Sequence, residues 1–351
     1  MDDNKLTAAV LGLGDKAQSL LETISKNPHY QLTAVADNDT DLAKKIAKQY
    51  DCASFDDYRQ LIIQNQLDCL IVAAPIHTCD EYLRMAMKKK FNILKLPPPA
   101  INFEQTLELT RLAADQQIKF AIANPARFTQ SFIDFKQNLH QLNIEDIFLI
   151  TATCAVPPRP DLSWLTDPKL AGGGVLLNDC YELFDQIISN FPLPQQIYSL
   201  NTNTAADRQQ RLYLTEDTAT VTMKFSDTLH ANLIASRHIG PQSQTITVYS
   251  KEKILTATPD KFTIDDQTDN TTETFEYENT QSDSAEKMLT SFAMSILSPD
   301  DNPLECSASQ NLKNMAVIES AYLSARTGFP EQPQKILDIE QNEPTEIWPL
   351  K

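Results

Sequence analysis

Two glycine clusters and one lysine mark the places where this chain could do chemistry. The first cluster is Gly12-Leu13-Gly14-Asp15-Lys16-Ala17, set between the apolar run Ala8 to Leu11 and a helical pattern with Ala17, Leu20, Leu21 and Ile24 on one face. It is a G-x-G-x-x-A turn, whose bare backbone lets a pyrophosphate approach a helix N-terminus. Asp37 ends the next apolar run, QLTAVAD, where a carboxylate can accept from a ribose hydroxyl and repel a 2′-phosphate. Strand, turn, helix and acid in that order point to a dinucleotide, with NAD preferred over NADP. One residue dissents. Asp15 puts a negative charge into the phosphate turn, unless it turns outward as a helix cap. Lys95 stands near the end of KFNILKLPPPAIN, an apolar strand pattern running into three prolines. A lysine snorkelling at a strand end is the plainest reading of it. The second cluster, Gly172 to Gly174, precedes VLLNDCYELFD, which carries Asn178 and, four residues on, Glu182. His77 and Cys79 could both ligate a metal, but no second ligand pair accompanies them, so they read as structural and no metal is expected.

These residues need a frame. Strand patterns alternate with helical ones from Leu6 to about residue 122, through QLTAVADND, DCLIVAAP and FNILKL, as in a doubly wound α/β Rossmann domain with a parallel sheet. Between residues 195 and 280 the pattern changes. TATVTMKF and LHANLIAS alternate apolar and polar residues at period two, as half-buried antiparallel strands do. Helical periodicity flanks them, from Gln130 to Leu142 and from Ser284 to Ala325. The expected layout is a cofactor domain over 1–122, an α+β domain with an open, mainly antiparallel sheet over 123–330, and a tail over 331–351 packed on the domains. The stretch from Asp265 to Glu278, acidic and poor in apolar residues, reads as a surface hairpin.

Composition narrows the partners. Thirty basic against 47 acidic residues give a net charge of −17. Such a surface repels nucleic-acid phosphates and anionic lipids, so neither nucleic acid nor a membrane is expected as a partner. The N-terminus has no basic region leading into a long apolar core, and six cysteines lie scattered without a CxxC pair. Reduced thiols and a cytoplasmic location are expected. Glycine is scarce: seven occur where average usage of about 7% would give roughly 25. Five of the seven fall in the two clusters above, so the backbone there is expected to tolerate no side chain.

AVLGLG, AVADND, SFDDYRQLIIQNQLDCLIVAAP, NPARF, WLTDPKLAGGGVLLNDCYELFD, EDTATVTMKFSDTLHANLIAS and IESAYLSARTG together resemble the glucose–fructose oxidoreductase / inositol dehydrogenase (Gfo/Idh/MocA) family across nearly the whole chain. The resemblance implies NAD bound by Gly12, Leu13, Gly14, Asp15, Lys16, Ala17, Asp37, Ala74, Pro75 and Lys95. It also implies a small-molecule substrate near Arg127, Trp164 and Asp179, and a homodimer or homotetramer built on the C-terminal sheet. Family dehydrogenases carry Glu-Lys-Pro where this chain has Leu96-Pro97-Pro98, so Pro97 occupies the position of the proton-transferring lysine. Lys95 lies two residues earlier, about 6.6 Å along a strand. The family aspartate and histidine, four residues apart on one helix face, are Asn178 and Glu182 here. Cys79 replaces the usual histidine after the fourth strand, and the His-Arg-Phe triplet is Ala126-Arg127-Phe128. Lys95, Asn178 and Glu182 are the candidates for any remaining catalysis. The preferred reading is an NAD-binding protein with a degenerate catalytic site, non-catalytic or sensing. The alternative is an NAD-dependent oxidoreductase with altered acid–base residues acting on a sugar, polyol or other small molecule.

Overall fold

The computed structural model describes residues 5–158, 163–211, 213–278 and 280–338. The chain forms two compact units, each discontinuous in sequence: Met1–Ile133 with Glu276–Asn311, and Asp134–Phe275 with Leu312–Lys351. The sequence pattern alone places breaks at 122/123 and 330/331. Residues 276–311 instead return to the first unit, because their apolar side chains complete its core. The part of the expected 331–351 tail from residue 339 onward lies outside the described residues.

The first unit is a six-stranded sheet in the order β3-β2-β1-β4-β5-β6. Its strands are β1 (Leu6–Leu11), β2 (Tyr30–Ala36), β3 (Ala53–Phe55), β4 (Cys69–Val72), β5 (Asn92–Lys95) and β6 (Phe120–Ile122). All five pairings are parallel. The helices between them are α1 (Asp15–Lys26), α2 (Thr40–Tyr50), α3 (Tyr58–Gln64), α4 (Ile76–Lys88) and α5 (Phe103–Asp115). Short polar residues start several of them. Asp39 accepts from the N–H groups of Asp41 and Leu42, Asp57 from Arg59, and Asn102 from Gln105. Each such cap satisfies helix donors that otherwise lack partners. The returning helix Thr280–Leu297 buries Ala285, Met288, Leu289, Phe292 and Ala293 in the same core as Leu20, Leu21 and Ile24 of α1. Burial of each large side chain stabilises by roughly 1.5–3 kcal/mol before chain entropy is counted. The Tyr30 hydroxyl donates to the Leu289 carbonyl at 2.7 Å, and Asn27 donates to Thr290 at 2.9 Å.

The second unit is an eight-stranded sheet in the order β14-β13-β12-β11-β7-β10-β9-β8. Its strands are β7 (Ile147–Ala155), β8 (Gln196–Thr202), β9 (Thr218–Lys224), β10 (His230–Ser236), β11 (Ser243–Ser250), β12 (Lys253–Thr258), β13 (Lys261–Asp266) and β14 (Thr271–Glu276). The β7–β10 pair is parallel, while β10–β9, β9–β8, β7–β11, β11–β12 and β12–β13 are antiparallel. Period-two alternation does what it predicts: Ala219, Val221 and Met223 of β9 are buried, while Thr220 and Thr222 face out. The stretch Ser284 to Ala325 forms two helices, Thr280–Leu297 and Ala308–Thr327. Among the described residues no helix is long and apolar enough to cross a membrane.

Candidate functional site

In the first unit the β1–α1 turn is shaped by what lies against it. Gly12 adopts φ +83°, and a Cβ there would lie 2.4 Å from the Ala74 Cα. The turn thus presses on the backbone after β4, and only glycine fits. Gly14 differs: a Cβ built on it meets nothing within 4 Å, so the space over the start of α1 is open. Leu13 and Ala17 are buried, Gly14, Asp15, Lys16 and Pro75 are exposed, and Ala74 is buried beneath Gly12. Leu13 therefore contributes its backbone to the turn and its side chain to the core. Asp37 is held in place by that backbone. One carboxylate oxygen accepts from the Leu13 N–H at 2.7 Å and the other from the Asp39 N–H at 2.9 Å. Each oxygen keeps further acceptor capacity for a ribose hydroxyl.

Lys95, at the end of β5, does not snorkel. It is 2% exposed, and its Nζ donates to the carbonyls of Leu96 at 2.9 Å and Pro98 at 2.6 Å. The three prolines curl the chain so that its carbonyls come back onto the lysine that precedes them. Burial lowers the pKa of this ammonium, with Cys79 opposing the shift and Lys16 adding to it. Cys79 is also buried, its Sγ donating to the carbonyls of Ala74 at 3.2 Å and Pro75 at 3.1 Å. Burial pushes that thiol up. His77, two residues before it, is exposed, so the two metal-capable side chains do not converge. Arg127 sits in the turn Pro125–Phe128, half-buried, with Nη1 3.3 Å from Gln310 Oε1.

The glycine triplet in the second unit is explained by packing. Gly172 has φ +72°. A Cβ on Gly173 would lie 2.1 Å from the Tyr322 hydroxyl, and one on Gly174 would lie 1.8 Å from the Glu216 main-chain oxygen. Glu216, buried, accepts from the N–H groups of Gly174 at 2.8 Å and Leu176 at 3.0 Å, and from the Tyr322 hydroxyl at 2.9 Å. Burial raises its pKa against those hydrogen bonds. Sequence reasoning missed Glu216 and Tyr322. The only signal was three consecutive glycines in a chain that spends so few.

The two positions expected on one helix face are not on one helix. Val175–Asn178 and Tyr181–Asn190 are separate helices, broken at Asp179 and Cys180. Asn178 donates from Nδ2 to the carbonyls of Ala171 at 3.2 Å and Gly173 at 2.7 Å, closing the glycine turn. An aspartate there would set a carboxylate against those carbonyls. Glu182 lies half-buried in the first turn of the next helix. Asp179 is held by Arg237, whose Nε and Nη2 lie 2.9 and 2.8 Å from Asp179 Oδ2, with both side chains nearly inaccessible. Burial lowers the pKa of this guanidinium, opposed by Glu216, Tyr322 and Asp217 around it. Trp164 is half-buried in the turn Ser163–Thr166.

Residues 6–123 match the family model described as "Oxidoreductase family, NAD-binding Rossmann fold", and residues 136–331 match "Oxidoreductase family, C-terminal alpha/beta domain". The chain belongs to the Gfo/Idh/MocA oxidoreductase family. Its first unit is the NAD-binding Rossmann domain of that family. Among curated relatives, dTDP-3,4-didehydro-2,6-dideoxy-alpha-D-glucose 3-reductase of Streptomyces violaceoruber is 23% identical over 51% of this chain and 52% of its own length. D-glucoside 3-dehydrogenase of Escherichia coli K12 is 24% identical over 56% of this chain and 58% of its own. The chain thus spans little more than half the length of either. An oxidoreductase from Agrobacterium radiobacter, solved with NAD+, L-tartaric acid and magnesium, shares the fold. It gives a TM-score of 0.81 over 95% of this chain and 99% of that one, at 14% identity.

Proposed function

We propose that this family member binds NAD and has given up the family's proton transfer, so that it responds to the dinucleotide without turning over a sugar or polyol. The observation that carries this reading is Lys95. Its ammonium is enclosed and committed to the carbonyls of Leu96 and Pro98, while Pro97 fills the position where the family keeps its lysine. The second unit supports the same reading. Asn178 donates its amide to the glycine turn and the Asp179 carboxylate is paired with Arg237, so both side chains are already engaged. The cofactor half keeps its geometry: Gly12 forced by Ala74, Gly14 open, and Asp37 held by two backbone donors. Calorimetric titration tests the binding half, with one saturable site for NAD expected. Failure of both NAD and NADP to bind the folded protein would remove the reading.

A second reading rests on Glu182, a half-buried carboxylate at the start of the helix Tyr181–Asn190. Hydride transfer depends chiefly on the nicotinamide, so an unusual base could serve it. With the two curated relatives named for sugar 3-reduction and glucoside 3-dehydrogenation, the substrate on this reading is a sugar hydroxyl or ketone. NAD reduction that depends on a glucoside and disappears in Glu182→Gln would establish it in place of the first.

A further inference from the structure

The start of α1 has the backbone of a phosphate cradle and the wrong charge at its mouth. Asp15 is the first residue of the twelve-residue helix, directly after Gly14, where the N–H groups and helix dipole would receive a pyrophosphate. Its side chain is exposed, and among the described residues its carboxylate has no hydrogen-bond partner. No side chain caps this helix, so Asp15 has not turned back to serve as one. The space over Gly14 is open. Asp37, beneath the same turn, is already engaged with the N–H groups of Leu13 and Asp39, so Asp15 is the exposed carboxylate that an arriving diphosphate meets, with the exposed cation of Lys16 next to it in the chain.

We propose that Asp15 sets the affinity of this site. Its charge opposes the pyrophosphate and keeps NAD weakly held, so that occupancy follows NAD concentration instead of remaining saturated. The proposal rests on NAD binding by the first unit and gives the sensing reading its physical means. Between unit charges several ångströms apart, repulsion changes an equilibrium a few-fold with water-like screening and on the order of 100-fold at an effective dielectric constant near 20. The expected gain on removing Asp15 lies between those limits and shrinks as salt shortens the screening length.

The test is calorimetry on the full chain, comparing wild type with Asp15→Asn and Asp15→Ser at low and high salt, against NAD, ADP-ribose and adenosine. Melting curves confirm that each variant is folded, and serine retains the ability to cap the helix should asparagine disturb it. Both variants are expected to bind NAD and ADP-ribose more tightly, by at least 3-fold at low salt and by less at high salt, with adenosine unchanged. Equal or weaker NAD binding by the folded variants would overturn the role of Asp15 and leave cofactor binding standing. Absence of NAD binding in wild type and variants alike would remove the cofactor reading itself, and this proposal with it.

Discussion

Replacing Lys95 by methionine separates a structural lysine from a chemical one. The substitution keeps the length of the side chain and removes the donors that reach the Leu96 and Pro98 carbonyls at 2.9 and 2.6 Å. A buried acceptor left without a partner costs about 1–3 kcal/mol, and two are exposed to that loss. Removing a buried ammonium and burying a thioether offset part of it, the latter by up to roughly 1.5–3 kcal/mol. A net destabilisation of about 1–3 kcal/mol is expected. In a unit of this size each kcal/mol lowers the melting temperature by about 2–4 °C. The pH dependence has a definite sign. Burial lowers the folded-state pKa of Lys95 below its ordinary 10.5. The native state therefore binds this proton less tightly than the unfolded chain does, and the resulting stability is present above the unfolded pKa and lost as pH falls through the folded one. Wild type should gain on Lys95→Met as pH rises toward 10.5. Thermal melts of both proteins across the alkaline range read this directly. An unchanged melting temperature with no pH-dependent gap would refute the structural role. A folded variant that lost a wild-type NAD-linked turnover by about 10²–10⁴-fold would make Lys95 a proton-transfer group instead.

The glycine corner should be equally unforgiving. Gly174→Ala places a Cβ 1.8 Å from a backbone oxygen and is expected to destabilise the second unit by about 3 kcal/mol or more, read by urea unfolding. Gly14→Ala, with open space around it, should change stability by no more than about 1 kcal/mol while weakening NAD binding. Wild type should bind NAD at least about tenfold more tightly than NADP, because Asp37 repels a 2′-phosphate; Asp37→Ser should narrow that ratio, and equal affinities in wild type would contradict it. On the open face of the second sheet, Leu200 and Ile234 are exposed on either side of Thr220. If this face joins copies of the chain, Ile234→Glu should convert the oligomer to monomer by light scattering at micromolar concentration, and a monomeric wild type would overturn the expectation.

Local signals in the sequence were enough wherever the physics is local. The alternation in TATVTMKF marks β9 because strand side chains change face at every residue. The Gly12 turn is legible because strand, glycine and helix follow one another. What the sequence concealed depends on distant partners. Glu216 lies 42 residues from Gly174, and Tyr322 lies 106 residues from Glu216, so nothing near the triplet names what packs on it. The return of Met288, Leu289 and Phe292 to the core of α1 is likewise a long-range event, which periodicity cannot assign to one unit or the other. The family resemblance implied Asn178 and Glu182 on one helix face, yet Asn178 turns back to cap the carbonyls of Ala171 and Gly173, and the helix breaks at Asp179. Lys95 was misjudged because a strand-end lysine usually reaches water, whereas three prolines bring two carbonyls to it first.

The account turns on whether NAD binding is uncoupled from dehydrogenation. The direct measurement is the rate of NADH formation, followed by absorbance, with wild-type protein, saturating NAD and a panel of glucosides, nucleotide sugars and polyols. Loss of general acid–base assistance removes about 10²–10⁴-fold from an ordinary rate. From a typical rate of about 10 s⁻¹, turnover at or below about 10⁻¹ s⁻¹ is therefore expected on every compound, in protein shown by calorimetry to hold NAD. Oxidation of any one of them at about 1–10³ s⁻¹, the usual range for enzymes, would contradict the account.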